Sequence, residues 1–355
     1  MKDTFLIVGG AGFVGSSLAL LLRRDFPGTK IVALDNLKRR GSELNIPRLK
    51  SAGIDFIHGD SRVPEDLEQA GRVDILIDCA AEPSVFAGYN GSPAYMINTN
   101  LNGTINCLEL ARKRKADVIF LSTSRVYPIE LFRSLKYSET DTRLHPVEIQ
   151  DLPGISAEGI TEQFPLEGFR SLYGASKLAS ELIITEYIEA FGISAIINRC
   201  SVLTGPWQMG SVEQGFIVLW VAKHIYGGRL AYMGYGGTGK QVRDILHVRD
   251  LYRLLSIQLN DISRFSGQTY NVGGGKINSV SLLELTNLCR KATGNQTDIF
   301  NEPETRPGDI PWYVSDCSKV QSRTGWKPNT LVPEIINEIA AWIHDYRKDI
   351  QPILG

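Results

Sequence analysis

Within its first fifteen residues the chain runs from a short apolar stretch, Thr4–Val8, straight into Gly9-Gly10-Ala11-Gly12-Phe13-Val14-Gly15, and then into the amphipathic segment Ser16–Arg24. Glycine at 9, 12 and 15 permits a tight turn, a close approach of backbone to a ligand, and close packing of a following helix on the strand. A helix opening at that point offers free N–H groups and a partial positive charge to phosphates. Glycine turns are common. One set between a strand and a helix is the first β–α turn of a dinucleotide-binding sheet, which makes Gly9, Gly12, Phe13, Val14 and Gly15 candidate cofactor contacts.

The next two hundred residues keep the rhythm. Ile31–Leu34, Asp55–Ile57, Val73–Ile77, Val118–Leu121 and Ala195–Ile197 are near-continuously apolar, as strands buried on both faces are. Gly103–Arg114 and Ser176–Phe191 have helical patterning between them. The alternation predicts an α/β fold, a doubly wound parallel (Rossmann) sheet, with a smaller C-terminal substrate-binding domain. The expected boundaries are 1–200 for the nucleotide-binding domain, with a return to the sheet near 240–275 through the strand-like Thr269–Val272. The smaller domain takes 201–239 and 276–355. Pro128–Leu172, with prolines at 128, 146, 153 and 165, is too long for a connector and reads as a functional excursion.

Composition excludes several classes. The 355 residues carry 38 Lys+Arg against 39 Asp+Glu, so no global charge favours nucleic acid or a membrane surface. Five scattered cysteines without a C-x-x-C give neither a disulfide framework nor a metal site. No apolar run is long enough for a signal-peptide core or a span. The expectation is a cytoplasmic protein with no metal, nucleic-acid or membrane partner.

Asp35 closes the second strand, 20 residues after Gly15, where a carboxylate accepts both ribose hydroxyls of an adenosine. It would repel a 2′-phosphate, which favours NAD over NADP; Lys38-Arg39-Arg40 just beyond is the opposing signal. Asn36 adjoins it. Asp60 and Ser61 close the third strand, where Asp60 is either an acceptor for the adenine amine or a helix-cap or turn aspartate. Ala80 and Ala81 end the fourth. Tyr173 and Lys177 stand four apart at the head of a helical stretch, hence on one face. A nearby ammonium favours a phenolate, so the pair is a plausible proton shuttle. Ser122, Thr123 and Ser124 end the fifth strand, at the carboxyl edge of the sheet where ligands bind.

Together with Asn100-x-x-Gly103-Thr104, Arg199…Gly205-Pro206, Arg243-Asp244…His247-Val248…Asp250, Asn271-Val272-Gly273-Gly274, Arg306-Pro307-Gly308-Asp309 and Gly325-Trp326-x-Pro328, these residues closely resemble the extended short-chain dehydrogenases/reductases, specifically their nucleotide-sugar epimerase/dehydratase branch. The resemblance spans nearly the whole chain. It implies an isomerase using NAD, with Tyr173 as acid/base, Thr123 as the catalytic hydroxyl, and Lys177 also holding the nicotinamide ribose. Ser122 and Asn100 would serve the cofactor site, Asn100 by supporting the active-site helix. Arg243 and Arg306 would hold a sugar-nucleotide diphosphate, and Ser124, Arg125 and Gln214 would touch substrate. Dehydratases of the branch carry Asp-Glu directly after the catalytic Thr; this chain has Ser124-Arg125, which argues against elimination. Decarboxylases usually carry a Glu in the same stretch, which is missing too.

Tyr137–Arg143, Gln214-Gly215-Phe216 preceded by Glu213, and Gly239–Asp244 followed by Leu246-His247 are most similar to the branch's 2-epimerases of CDP-linked 3,6-dideoxyhexoses, of paratose and tyvelose type. The implied partner is thus a nucleotide-diphosphate sugar, CDP-linked in preference, with a UDP-sugar 4-epimerase as the alternative and a noncatalytic NAD-binding module behind both. A homodimer or homotetramer packed through the Asn100–Arg114 and Tyr173–Phe191 helices is implied as well.

Overall fold

The computed structural model describes residues 3–89, 91–212 and 214–355. Seven strands form one sheet: β1 (Thr4–Val8), β2 (Lys30–Asp35), β3 (Asp55–His58), β4 (Ile75–Asp78), β5 (Asp117–Thr123), β6 (Ala195–Cys200) and β7 (Thr269–Val272). Their order is β7-β6-β5-β4-β1-β2-β3, a doubly wound arrangement that reverses direction between β1 and β4. The pairs from β3 through β5 are parallel, with Phe5 opposite Ile31 on one side and Ile75 on the other. Every residue of β1 and of β5 is buried, which is why these strands are apolar without alternation. One strand starts later than its pattern suggests. Asp74 stands just before β4, where its carboxylate accepts the N–H groups of Asp3 and Thr4 and so caps the edge of β1.

Helices α1 (Phe13–Asp25), α2 (Gly103–Arg114) and α3 (Leu172–Phe191) pack on this sheet. Cys107, Leu108, Leu110 and Ala111 of α2 and Ile184 of α3 join Leu6, Val8, Leu76, Val118 and Phe120 in one continuous core. Phe120 and Leu108 are wholly excluded from solvent.

The chain divides into two compact units, the first of Met1–Val126, Leu172–Arg199 and Leu251–Tyr270, the second of Tyr127–Ser171, Cys200–Asp250 and Asn271–Gly355. This corrects the expected boundaries: the excursion after Val126 belongs to the second unit, and only 251–270 returns to the first. The reason is its bonding. Leu144 N–H donates to Lys240 O, Ile160 N–H to Val314 O, and Arg143 is held by Glu284 and Ser279, all within the second unit. There the strand Val242–His247 pairs antiparallel with Ser279–Ser281 and parallel with Trp312–Tyr313 and Val202–Thr204. Tyr127, Phe132, Phe164 and Tyr313 stack as a buried aromatic block beside it. Among the described residues no helix is long and apolar enough to cross a membrane.

Candidate active site

The turn between β1 and α1 accepts no side chain at its key positions. Gly9 has φ +75°, and a Cβ there would sit 2.9 Å from the Ala80 backbone; a Cβ on Gly15 would come within 2.2 Å of Gly9 O. No side chain caps α1 and no acid stands in its first turn, so its N-terminal donors are left for an anion. Beside the turn lies a cavity of about 220 Å³ bounded by Gly9, Gly12, Asp35, Asn36, Ser61, Ala80 and Ala81, with Lys38, Arg39, Tyr95 and Thr99 completing its wall. Phe13, Val14 and Gly15 build the turn behind it without lining it.

Asp35 is fixed from three directions: Oδ2 accepts the Ala11 and Gly12 N–H groups at 3.1 Å each, and Oδ1 accepts that of Leu37 at 2.8 Å. Burial raises its carboxyl pKa, and these donors oppose that rise. A carboxylate has about four acceptor positions; three are taken, and the one left on Oδ1 can accept a ribose hydroxyl. The glycine cradle, the uncapped helix and this carboxylate fit the pyrophosphate and adenosine of a dinucleotide. Asp60 lies outside the cavity wall. Arg62 grips it at 2.6 and 2.9 Å and holds its carboxyl down near pKa 2, and Asn36 Nδ2 donates to it at 2.9 Å. Asp60 Oδ1 also accepts the Arg62 backbone N–H at 2.9 Å, the turn role anticipated for it.

Tyr173, Lys177 and Glu181 follow one another at four-residue intervals on α3 and share a face. Lys177 is 1 % exposed, with its ammonium 3.8 Å from the Phe120 ring centroid. The buried carboxyl of Asp78 is its electrostatic counterpart: burial raises the pKa of Asp78, while Lys177 and the Thr104 hydroxyl, which donates at 2.8 Å, lower it. Glu181 is buried against Arg199 of β6, with Nη2 to Oε2 at 2.6 Å and both side chains about 5 % exposed. Asn100 secures the same helix. It donates to Ser176 Oγ and Glu82 O, accepts the Glu82 N–H, and its carbonyl takes the Ser180 hydroxyl. That is the support expected of it.

Thr123 Oγ1 accepts the Arg125 N–H at 3.2 Å and so opens the short turn Ser124–Val126. The Ser122 hydroxyl donates to Glu181 Oε1; neighbours on a strand point to opposite faces, so Ser122 and Thr123 do not both present side chains to one crevice. The same rule, applied to the sequence, would have separated them. Asp78 and Glu181 went unsought; their only signal was an acid ending an apolar strand and an acid two turns after Tyr173.

In the second unit Arg243 donates to Val242 O and to Ile310 O. Arg306 makes a two-pronged bond to Asp309, at 2.9 and 3.0 Å, so that fork already holds a carboxylate. Arg133, which the sequence reading passed over, donates to the carbonyls of Arg306, Pro307 and Asp309. Tyr235, at φ +50°, donates its hydroxyl to Asp309 O. Gln214 exchanges backbone bonds with Ser211; Glu213 lies outside the described residues.

A parallel sheet with a glycine turn, a cavity beside it walled by an acid-ended strand, and a Tyr/Lys helix define a nucleotide-dependent enzyme of the short-chain dehydrogenase type. The chain belongs to the NAD dependent epimerase/dehydratase family, whose model matches residues 5–273. The CDP-paratose 2-epimerase of Salmonella typhi is 31% identical over 346 residues, covering 95% of this chain and 98% of that protein. A solved dTDP-glucose 4,6-dehydratase from Streptomyces venezuelae with NAD bound is 26% identical, with a TM-score of 0.79 over 98% of this chain and 99% of that one. The UDP-glucose 4-epimerase of Thermus thermophilus, solved with NAD, is 26% identical with a TM-score of 0.77, over 96% and 99%. The cofactor is NAD, and the protein is an enzyme of the nucleotide-sugar epimerase/dehydratase kind.

Proposed function

We propose that this enzyme is a 2-epimerase of a CDP-linked 3,6-dideoxyhexose. The observation that carries this is the turn after Thr123: Ser124 and Arg125 stand where dehydratases of the family place an acid pair, so the chain has the proton shuttle without the groups for eliminating water. The likeness to a CDP-paratose 2-epimerase along 95% of the chain supports the sugar and the base. Tyr173 takes the proton of the C2 hydroxyl, and Thr123 bonds the same oxygen. Lys177, one turn along, favours the phenolate and holds the nicotinamide ribose. Bound NAD supplies a hydride acceptor and donor, so turnover is redox-neutral. Arg243 and Arg306 hold the diphosphate through bidentate guanidinium geometry, and Ser124, Arg125 and Gln214 contact the sugar nucleotide.

The test is conversion of CDP-paratose in deuterated water without added cofactor. The product should carry no deuterium on carbon, because the hydrogen travels as hydride. Turnover of a UDP-hexose with no CDP-sugar accepted would move the chemistry to C4. Tyr173→Phe should lower kcat by roughly 10²–10⁴-fold with NAD still bound; an unaffected function would mean a noncatalytic NAD-binding module. Leu182 leaves apolar surface on α3 open to solvent, at 63% exposure. A homodimer or homotetramer through this helix and α2 is proposed for that surface, to be checked by light scattering.

A further inference from the structure

Five residues form a closed circuit at the cavity beside the glycine turn, four links through side chains and one through a backbone N–H. Asn36 Nδ2 donates to Asp60 Oδ2 at 2.9 Å. Asp60 is gripped by both arms of Arg62. The Arg62 guanidinium lies over the Tyr95 ring, 4.7 Å from its centroid, and the Lys38 ammonium lies 5.3 Å from the same centroid. The Lys38 backbone N–H donates to Asn36 Oδ1 at 3.0 Å and closes the loop. Lys38, Asn36 and Tyr95 all line the cavity, while Asp60 and Arg62 stand behind them. The circuit therefore ties together the segment after β2, the segment after β3 and the helical turn Ala94–Ile97.

We propose that this circuit is a retaining clasp for the adenosine half of NAD, with Tyr95 as the residue that joins its two cationic arms, and that it sets the rate at which the cofactor leaves. The inference rests on the identity of the cofactor and is independent of which sugar is turned over. A redox-neutral enzyme must hold its cofactor from the oxidising to the reducing half of each turnover, or the oxidised sugar is stranded. Oxidised and reduced cofactor differ at the nicotinamide and are alike at the adenosine, so a hold on the adenosine retains both forms equally. Each cation–ring contact is weak where solvent reaches it, but opening the cavity edge requires both to part together.

The experiment is displacement of bound NADH by excess NAD+, followed by loss of nicotinamide fluorescence, paired with a filter assay for release of radiolabelled NAD+. Tyr95→Ala should speed release of both forms by about tenfold, and by the same factor for each. Tyr95→Phe, which keeps the ring, should stay within about twofold of the parent, and Lys38→Met should speed release by about threefold. Release of Tyr95→Ala at the parent rate, with its melting transition retained, overturns the proposal. So does a Phe variant as leaky as Ala, or an acceleration confined to one redox form. If Tyr95→Ala does not fold, the exposed Lys38 decides: unchanged release from Lys38→Met refutes the clasp.

Discussion

Replacing Arg199 with methionine would strand the Glu181 carboxylate beneath the helix that carries Tyr173 and Lys177. Arg199 and Glu181 meet through Nη2–Oε2 at 2.6 Å and Nε contacts at 3.0 and 3.1 Å. Their side chains are 6% and 5% exposed, so solvent screens the pair little. Removing one partner of such a pair costs about 3–5 kcal/mol, because an uncompensated charge stays buried. The Ser122 hydroxyl still donates to Glu181, which places the expectation at the lower end, about 3 kcal/mol. With unfolding entropy near 2.1 cal/mol/K per residue over 355 residues, that lowers Tm by about 4 °C. Urea unfolding gives the free energy directly, and kcat should fall by about tenfold as the Tyr/Lys face loses its anchor. Adding Glu181→Met should recover most of the stability, since an apolar pair of similar volume tolerates the site. A loss under about 1 kcal/mol, or a double variant no better than the single, would refute the argument.

Two groups on the strand Val242–His247 should give opposed pH dependences. Burial raises the pKa of Asp244 to about 6, against the donors Gly275 and Ser315, so stability falls as pH rises from about 4 through 6, by about 3 kcal/mol. Burial, with Arg249 alongside, lowers that of His247 to about 4 although Glu338 opposes it; the unfolded chain takes that proton first, and stability falls with acid from about 6.5 to 4 by a similar amount. The two largely cancel in the parent. Asp244→Asn should therefore lose stability on acidification and His247→Asn should gain it; urea midpoints parallel to the parent's across that range would rule this out. Gly15→Ala, whose Cβ meets the backbone of Gly9 and Gly10 at 2.2 and 2.8 Å, should weaken NADH binding by about tenfold or more in a fluorescence titration. Affinity within twofold of the parent would mean the turn yields.

What could be read from the sequence was local. The glycine turn, the acid ending β2 and the Tyr/Lys spacing each lie within one β–α step, and the strands buried on both faces need no partner to be recognised; the half-exposed edge strand β3 is legible only from its short apolar run. The contacts that could not be read depend on partners far along the chain: Ser122 on Glu181, Asp78 on Thr104 and Lys177, Tyr95 on Lys38 and Arg62. Arg306 is different. Its partner Asp309 is only three residues on, but a motif quoted for binding diphosphate does not say that its own acid fills the fork.

The interleaving of the two units bears on how the protein is made. Strand β5 ends at Thr123, yet β6 starts only at Ala195 and β7 at Thr269, after the chain has twice left to build the other unit. At about 5–20 residues per second, the roughly 150 residues between β5 and β7 take some 7–30 s to emerge from a ribosome. For that interval the sheet keeps an open pairing edge in the crowded cell, first that of β5 and then, once β6 has emerged, that of β6, a template for wrong partners. Nascent chains halted before residue 269 should therefore depend on chaperones far more than the finished enzyme does, and a fragment library cut at contiguous boundaries should yield no soluble half.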